Sequence, residues 1–381
     1  MKKLMKGVVA LVLLASLVAC STSDVAEENT STDSNTTDNE ALNIGFIGPL
    51  EGDTSVYGIA VKNGGELALN DYNEANGTNF VFVPLDSRGD STEAVSAYNK
   101  LTSENNVVGI LGGVLSGEST AVASQSLADG TPIISASATV SQFTLTGDNV
   151  FRGCFTDPFQ AESIAEFAVD TLGATTAAII YDSGSDYSSG MNDKFKEVFE
   201  AKGGSVVDVE AYSTGDVDFN TQLTKIKAAN PDVIFVPNYY KDDAQIAKQA
   251  KDLGIESALL GGDGWDGILG VADDPSDVEN AIYVNHYAPD DEEVVSWLEK
   301  YKEVYGIDAN AFSVLAYDSM NILLDAITNA DSTAPDDVVA ALAATDYSGI
   351  LGHLTFDDNG DPIKDVAFIQ INDGVQKSYG K

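Results

Sequence analysis

From Leu42 onward, short apolar runs rich in Val, Ile and Phe alternate with longer amphipathic segments, and this alternation constrains the fold most strongly. The short runs have the length and composition of buried strands. Between them, segments such as 187–202 carry apolar residues at i, i+4, i+7 and i+8, as a helix does. The predicted strands are NIGFIG (43–48), FVFVPLD (80–86), VVGILGG (107–113), TPIIS (131–135), AAIIYD (177–182), VVDVEAY (206–212), DVIFVP (232–237) and AIYVNHY (281–287).

Continuous apolar strands separated by helices are typical of parallel sheets that are covered on both faces. The chain contains too many of these units for a single sheet. We therefore predict an α/β protein with two doubly wound, parallel-sheet lobes.

The first residues of the chain predict an export signal. A positive segment, MKKLMK, precedes an apolar run of thirteen residues, GVVALVLLASLVA. That run is short for a membrane span, which needs about 20 residues, and suits the core of a signal peptide. It ends in Leu17-Val18-Ala19-Cys20, which resembles the lipobox of bacterial lipoproteins. The resemblance implies that residues 1–19 are removed and that Cys20 carries a lipid. A diacylated cysteine anchors a protein stably.

The residues after Cys20 predict a disordered, acidic tether over 20–41. Residues 21–40 contain six acidic and nine Ser or Thr residues but only two apolar ones. Such a segment cannot bury enough apolar surface to fold. We expect an extracytoplasmic protein that is tied to the cell membrane by its N-terminus.

The charge of the chain excludes some partners. Its formal net charge is −40, and removal of residues 1–19 would take away three further lysines and no acid. Nucleic-acid binding requires a basic face, so no nucleic acid is expected. Cys154 is the second of two cysteines. With Cys20 lipidated it has no disulfide partner, and we interpret it as a small buried hydrophobic residue.

Motifs for catalysis, nucleotides and metals are absent from the sequence. It has no G-x-S-x-G and no P-loop, and no G-x-G-x-x-G follows the first strand. His286 and His353 lie in or beside strands, and we interpret them as structural. The segment 355–362, TFDDNGDP, lacks the spacing of a calcium loop and predicts a hairpin turn at Asn359-Gly360. We expect neither a cofactor nor a metal.

The loops that follow the predicted strands offer another kind of site. Ligands of open parallel sheets bind beyond the carboxyl ends of the strands, and here these loops are rich in Gly, Ser, Thr, Tyr and Asp. In LLGGDGWDG (259–267), Asp263 lies among glycines. Such a segment is either a surface turn or a backbone that approaches a ligand closely.

Six short motifs at these strand ends, taken in order, resemble the type I periplasmic binding proteins. The resemblance is strongest to the leucine/isoleucine/valine receptors of branched-chain amino-acid ABC importers. The motifs are G-P-x-x-G-x-x-x-x-Y-G (48–58), Ser-Gly (116–117), A-S-A-T (136–139), D-x-x-x-x-Y-S-S-G (182–190), N-Y-Y (238–240) and G-G-D-G (261–264).

This resemblance implies a site for the carboxylate of a free amino acid on the first lobe. Ser116, Gly117, Thr139 and the backbone of Ser137 match the family's carboxylate-binding positions. Hydroxyls and N–H groups at a helix N-terminus suit an anion. The neighbouring pair 118–119, Glu-Ser, leaves the register open by one or two positions.

The resemblance also implies an ammonium site on the second lobe. Asp263 would pair with the ligand's ammonium group, with Tyr187 and Tyr239 nearby, and Tyr57 would form an aromatic wall beside the ligand's side chain. We interpret Asp266 as a helix cap. Trp265 is interpreted as a packing or rim residue, and Glu51 departs from the Ser or Thr that is usual in the family.

The family's organisation implies the domain boundaries. The N-terminal lobe would comprise 42–154 plus 286–352, and the C-terminal lobe 155–285 plus 353–381. Three connections, near 152–157, 285–289 and 351–355, would form the hinge.

The function implied is that of a monomeric, lipid-anchored receptor that delivers an amino acid to an ABC permease, without catalysis. Two alternatives remain open at this point. One is a sensor of the same fold for an amide, urea or an aromatic acid. The other is an extracellular hydrolase, because paired carboxylates cannot be singled out among 60 acidic residues.

Overall fold

The computed structural model describes residues 41–380. The predicted signal peptide, Cys20 and nearly all of the tether lie outside the described residues. The first sheet and its helices comprise β1 (Leu42–Gly48), α1 (Ser55–Asn76), β2 (Phe80–Asp86), α2 (Ser91–Ser103), β3 (Val107–Gly112), α3 (Ser116–Ser126), β4 (Ile133–Ser135) and β5 (Val150–Arg152).

The middle of the chain contains α4 (Asp157–Asp170), β6 (Thr176–Asp182), α5 (Asp186–Ala201), β7 (Ser205–Tyr212), α6 (Asn220–Ala229), β8 (Val233–Phe235), α7 (Tyr240–Asp252), β9 (Ala258–Gly261) and β10 (Ile282–Asn285). The last part contains α8 (Glu292–Tyr305), α9 (Ala311–Asn329), α10 (Pro335–Ala343), β11 (Asp346–Gly349), β12 (Gly352–Thr355), β13 (Ala367–Asn372) and β14 (Val375–Ser378).

The first sheet has five parallel strands in the order β2-β1-β3-β4-β5. Successive residues of a strand point to opposite faces. Accordingly, Phe46 belongs to one buried cluster, together with residues of α1 and α9, and Ile47 belongs to another, with residues of α2 and α3. Helices therefore cover both faces of this sheet, as the apolar strands predicted.

The second sheet has seven strands in the order β14-β13-β10-β9-β8-β6-β7. The strands β6 to β10 are parallel, whereas β13 pairs antiparallel with β10 and β14 antiparallel with β13. The C-terminal hairpin thus adds an antiparallel edge to the predicted parallel sheet. The fold class is confirmed as α/β with two lobes, and the second sheet is mixed.

The chain passes between the two sheets after β5, after β10 and before β13. The third connection, which precedes β13, does not lie at the expected position near 351–355. Phe356 packs on Phe151 with ring centroids 5.1 Å apart, so this part of the chain stays on the first lobe. The third connection therefore runs later, through residues that include Lys364, whose Nζ donates to the carbonyl oxygen of Gly153 at 3.0 Å.

The predicted turn at Asn359-Gly360 is present. Gly360 has φ +82°, in the left-handed region that favours glycine, and its N–H donates to Asp357 O at 3.0 Å. Asp361, just after the turn, lies 2.6 Å from Nε of the fully buried Arg152. This ion pair holds the turn against the first lobe.

Candidate functional site

One enclosed pocket lies between the carboxyl ends of the two sheets. Its walls come from both lobes and pack closely, leaving a cavity volume of about 10 Å³, roughly the space of one water molecule. Seven of the eight ligand-binding residues predicted from the sequence line it: Tyr57, Ser116, Ser137, Thr139, Tyr187, Tyr239 and Asp263. Its other lining residues are Val114, Leu115, Gly264 and Phe312.

Gly117, the eighth predicted residue, is not part of the pocket wall. It occupies the first turn of α3 at the seam between the lobes, where an added Cβ would lie 4.0 Å from Oδ2 of Asp186 in the second lobe. Its contribution to the pocket is therefore limited to the backbone of the α3 N-terminus.

The start of α3 is fixed by the buried carboxylate of Glu118. Its Oε1 accepts hydrogen bonds from the N–H groups of Val114 at 2.9 Å and Leu115 at 3.1 Å. Its Oε2 accepts one from the hydroxyl of Ser87 at 2.5 Å. Burial raises the pKa of the Glu118 carboxyl. Glu118 therefore caps its own helix, and Ser116 is the residue of this turn that lines the pocket.

The first lobe contributes three hydroxyl-bearing residues to the pocket. Ser116 Oγ accepts a long hydrogen bond, 3.4 Å, from Val140 N. The hydroxyl of Ser137 donates to Val114 O at 2.9 Å, so it is already occupied. Thr139 is buried beside them. The first N–H groups of a helix have no partner within the helix. This wall is therefore suited to an anion.

Asp263 is buried in the second lobe and held on three sides. Its N–H donates to Gln160 Oε1 at 3.1 Å. Its Oδ1 accepts a hydrogen bond from the Tyr187 hydroxyl at 3.1 Å, and its Oδ2 lies 3.2 Å from His286 Nε2. The carboxylate is thus fixed at the pocket wall, and it is not part of an exposed turn.

The glycines on either side of Asp263 permit this close packing. A Cβ on Gly262 would lie 2.5 Å from the Tyr187 hydroxyl oxygen, and one on Gly264 would lie 2.3 Å from Asn238 O. Real Cβ atoms do not approach other atoms so closely. Glycine is therefore required at both positions because the backbone packs directly against Tyr187 and Asn238.

Asp157, the first residue of α4, is a second buried carboxyl group, and it contacts the pocket-lining residue Thr139 without lining the pocket itself. Its N–H donates to Thr139 O at 2.8 Å, and its Oδ1 accepts from Gln160 Nε2 at 3.1 Å. Its Oδ2 has no hydrogen-bond partner within residues 41–380. Burial raises the pKa of this carboxyl to about 8, and the charge of Asp263 acts in the same direction.

His286, interpreted from the sequence as structural, contacts the carboxylate of Asp263, the residue predicted to bind the ligand's ammonium group. It follows β10, its side chain is fully buried, and its ring stacks on Phe155 with centroids 3.8 Å apart. Burial lowers the pKa of its imidazole. Neither Asp157 nor His286 was identified from the sequence, because nothing in their local motifs distinguishes them from a helix N-terminal acid and a strand-end residue.

Aromatic rings form the rest of the wall. Tyr187 and Tyr239 stack with centroids 5.1 Å apart, and Tyr57 packs against Phe312 at 4.4 Å and Tyr239 at 5.7 Å. Burial raises the pKa values of the Tyr57 and Tyr187 hydroxyls, so both stay protonated. They act as neutral hydrogen-bonding groups.

The two lobes are in contact around the pocket. The Tyr57 hydroxyl donates to Gly264 O and accepts from Tyr240 N at 3.0 Å. The Tyr240 hydroxyl donates to Asp53 O at 2.5 Å, and Lys241 Nζ lies 2.5 Å from Asp53 Oδ1. Tyr57 and Asp53 belong to the first lobe and the others to the second, so the cleft is closed.

The neighbours of Asp263 have structural roles. Trp265 is fully buried and its Nε1–H donates to Val236 O at 2.8 Å, which makes it a packing residue. Asp266 Oδ2 accepts from Ala311 N at 2.5 Å, and its Oδ1 accepts from Gln376 Nε2 at 3.3 Å. Asp266 therefore caps α9, a helix of the first lobe, from its place on the second.

Four further observations concern the residues that the structure describes. Cys154 is a free, buried cysteine, and Glu51 is exposed. Within residues 41–380, His, Cys, Asp and Glu side chains form no group of three or more that could hold a metal ion. In the same range, no helix is both long enough and apolar enough to cross a membrane.

Comparison with known families places this geometry in context. Residues 41–376 match the family described as periplasmic binding protein. A Leu/Ile/Val-binding protein of Rhizobium johnstonii is 30% identical over 331 residues, which cover 84% of this chain and 88% of that protein.

Two solved structures have a similar fold and detectable identity. One is the leucine binding protein LivK from Thermotoga maritima, with 31% identity, a TM-score of 0.82, and coverage of 89% of this chain and 98% of that one. The other is the branched-chain amino acid transporter substrate binding protein LivJ from Streptococcus pneumoniae, in complex with isoleucine. It has 28% identity, a TM-score of 0.83, and coverage of 89% and 99%.

Proposed function

The chain belongs to the periplasmic binding protein family, and on that premise we propose that it is an extracytoplasmic receptor for a free branched-chain amino acid. The ligand would lie between the lobes and be delivered to an ABC permease. The observation that carries this proposal is the enclosed pocket, which has a hydroxyl-lined wall on one lobe and the buried carboxylate of Asp263 on the other.

The anionic end of the ligand fits the first lobe. Ser116 stands at the N-terminus of α3 and Thr139 lies beside it. A helix N-terminus presents N–H groups and a positive dipole end. We assign the ligand's carboxylate to this wall, with the backbone of Ser137 and Gly117 in support.

The cationic end fits the second lobe. Asp263 is held by Tyr187 and His286, and the nearby Asp157 has an oxygen without a partner. Buried charges are stable when they are paired and hydrogen-bonded. An α-ammonium group would supply that partner, and we assign it to Asp263 with Asp157 beside it.

The remaining wall suits an apolar side chain. Val114, Leu115 and Phe312 line the pocket together with the rings of Tyr57 and Tyr239. Burying apolar surface stabilises a complex by roughly 25 cal/mol per Å². This wall, and the names of the relatives, favour an aliphatic side chain such as that of leucine, isoleucine or valine.

Delivery to a permease and retention at the membrane belong to the same proposal. Lipid attachment at Cys20 would keep the receptor close to the membrane, and 20–41 would act as its tether. The family is one of binding proteins. We therefore propose binding without catalysis, by a monomer that closes around its ligand through a hinge.

The test is to identify what the protein carries and then to remove each end of the ligand. Small molecules released by denaturing the purified protein are identified by mass spectrometry. Calorimetric titration then compares L-leucine with 4-methylpentanoate, which lacks the ammonium group, and with isopentylamine, which lacks the carboxylate. We expect L-leucine to bind and both analogues to bind far more weakly. Binding of urea, amides or benzoates in preference to amino acids would contradict the proposal.

A further inference from the structure

His286 connects the hinge to the predicted ammonium site. It follows β10, in the second connection between the lobes, and its ring stacks on Phe155, which lies in the first connection. The same ring reaches Asp263 through Nε2 at 3.2 Å. One side chain in the second connection thus contacts both the first connection and the carboxylate of Asp263.

The surroundings of the ring select one protonation state. Nε2 faces the Asp263 carboxylate, which only accepts hydrogen bonds when ionised. Nδ1 is buried and has no partner within residues 41–380. An imidazolium would place a proton on Nδ1 with no acceptor, which is costly for a buried group. The neutral tautomer with its proton on Nε2 satisfies the contact.

Other charged groups face this ring from the elements packed around it. Lys364, in the third connection, acts on the ring itself, whereas Asp157 on α4 and the neutral Tyr187 on α5 lie around its partner Asp263. Burial lowers the pKa of the His286 imidazole, and the positive charge of Lys364 contributes in the same direction, whereas Asp263 opposes it. Burial of Lys364 lowers the pKa of its own ammonium group to about 8.

We propose that His286 is a positioning residue: as a neutral Nε2–H donor it orients the Asp263 carboxylate toward the ligand's ammonium group without neutralising it. This inference rests on the proposed function, because it presumes an ammonium-bearing ligand. When His286 is protonated, its positive charge competes with the ligand for the same carboxylate. Acid therefore weakens binding.

The sign and range of this effect follow from the position of the ring. The ordinary pKa of histidine is about 6.5, and burial moves that of His286 lower. Protonation of His286 therefore leaves the affinity for L-leucine unaffected above about pH 6.5 and lowers it at more acidic pH. Asp157 titrates at higher pH, about 8, so its effect on affinity is separated from that of His286.

The first experiment observes the ring in the empty protein. The chain has two histidines, and His353 is exposed, which makes it an internal reference. In protein labelled with ¹⁵N-histidine, we expect His286 to show the neutral Nε2–H tautomer at pH 7.5. It should protonate at lower pH than His353. An Nδ1–H tautomer or an imidazolium at pH 7.5 would overturn the inference.

The second experiment measures L-leucine affinity in two variants between pH 5 and 8. His286→Gln keeps an amide donor near the Nε2 position and does not titrate. We expect its affinity to lie within about threefold of that of the wild type at pH 7.5. Its affinity should no longer fall at acidic pH. His286→Leu keeps the packing on Phe155 but has no donor, and we expect a loss of about ten- to one hundred-fold at all pH values.

The outcomes separate the two proposals. If His286→Leu binds L-leucine like the wild type, then His286 does not position Asp263. The same conclusion follows if the affinity of His286→Gln still falls at acidic pH. Thermal melting of both variants identifies a loss that comes from misfolding, and in that case the tautomer experiment decides. If no amino acid binds the wild type, the proposed function fails, while the tautomer of His286 still tests the contact with Asp263.

Discussion

The hydroxyl of Tyr57, on the first lobe, donates a hydrogen bond to the carbonyl oxygen of Gly264, on the second lobe. The phenolic oxygen of Tyr57 also accepts a hydrogen bond from Tyr240 N at 3.0 Å, so this one hydroxyl joins the first lobe to two loops of the second. The family resemblance implies that the ring of Tyr57 forms a wall beside the ligand. Its hydroxyl has a separate role in closing the cleft.

Tyr57→Phe should therefore weaken binding of every ligand to a similar extent. The ring remains, while two buried backbone groups, Gly264 O and Tyr240 N, lose their partner. Such a loss costs about 1–3 kcal/mol, or roughly five- to 150-fold in dissociation constant. Calorimetric titration with L-leucine and L-valine measures it. A loss for one amino acid only would assign Tyr57 to side-chain selection instead of closure.

Asp263→Asn should reduce affinity for an amino acid by a larger factor. Removing one side of a buried, hydrogen-bonded charge pair typically costs about 2–5 kcal/mol, between roughly thirty-fold and a few thousand-fold. The variant keeps the shape of the side chain, so the loss reports on charge. Asp358→Asn, at an exposed site far along the chain, is the matched control. Equal and small losses in both variants would remove Asp263 from the binding site.

Asp157 should make the stability of the empty protein depend on pH. Its folded-state pKa of about 8 lies above the ordinary value, so the folded state binds this proton more tightly than the unfolded state does. The contribution to stability is complete below about pH 4 and is lost as pH rises toward 8.

Asp157→Asn removes this titration, so it should raise the melting temperature relative to wild type at pH 8 and by less at pH 5. Melting curves across this range measure the difference. Parallel curves for the two proteins would show that the carboxyl is solvated and ionised throughout.

Asp361→Ala should destabilise the first lobe because it leaves the buried guanidinium of Arg152 without its carboxylate. The two atoms of this pair lie 2.6 Å apart, and Arg152 is fully buried. Breaking a buried pair by removing one partner costs roughly 3–5 kcal/mol. Asp358→Ala changes an exposed residue of the same turn and should be nearly neutral. Chemical denaturation compares the two, and a similar effect of both would contradict the role given to Asp361.

Cys20→Ser should abolish lipid attachment. The variant should accumulate as an unprocessed precursor or be released, whereas the wild type stays in the membrane fraction. Cell fractionation with mass spectrometry of the mature N-terminus tests this. Normal processing and retention of the variant would contradict the lipobox interpretation.

The parts of the site that could be predicted from the sequence are those that local pattern determines. The apolar strands can be recognised in the sequence, and so can the positions at which they end. Ser116, Thr139 and Asp263 follow such strand ends, and they line one pocket. The glycines around Asp263 indicated a close backbone approach. The structure identifies the residues that this backbone approaches, which are Tyr187 and Asn238.

The parts that could not be predicted depend on contacts between distant residues. His286 meets Asp263 across 23 residues of chain, and Asp157 is one acid among 60. The late third connection depends on Arg152 and Asp361, and their pairing has no local signal. Likewise, β13 and β14 form an antiparallel edge because β13 pairs with β10. The composition of the two strands does not indicate this pairing.

The enclosure of the pocket has a kinetic consequence. Tyr57, Thr139 and Asp263 are each at most 2% exposed, so no ligand can enter or leave while the lobes are in contact. Release must wait for the lobes to separate, and the residence time of every ligand is then bounded by one opening rate. Contacts at the mouth, such as Asp53 with Lys241, act on this rate without touching the ligand. A permease that pulls the lobes apart would therefore hasten release without any change in the ligand's own contacts.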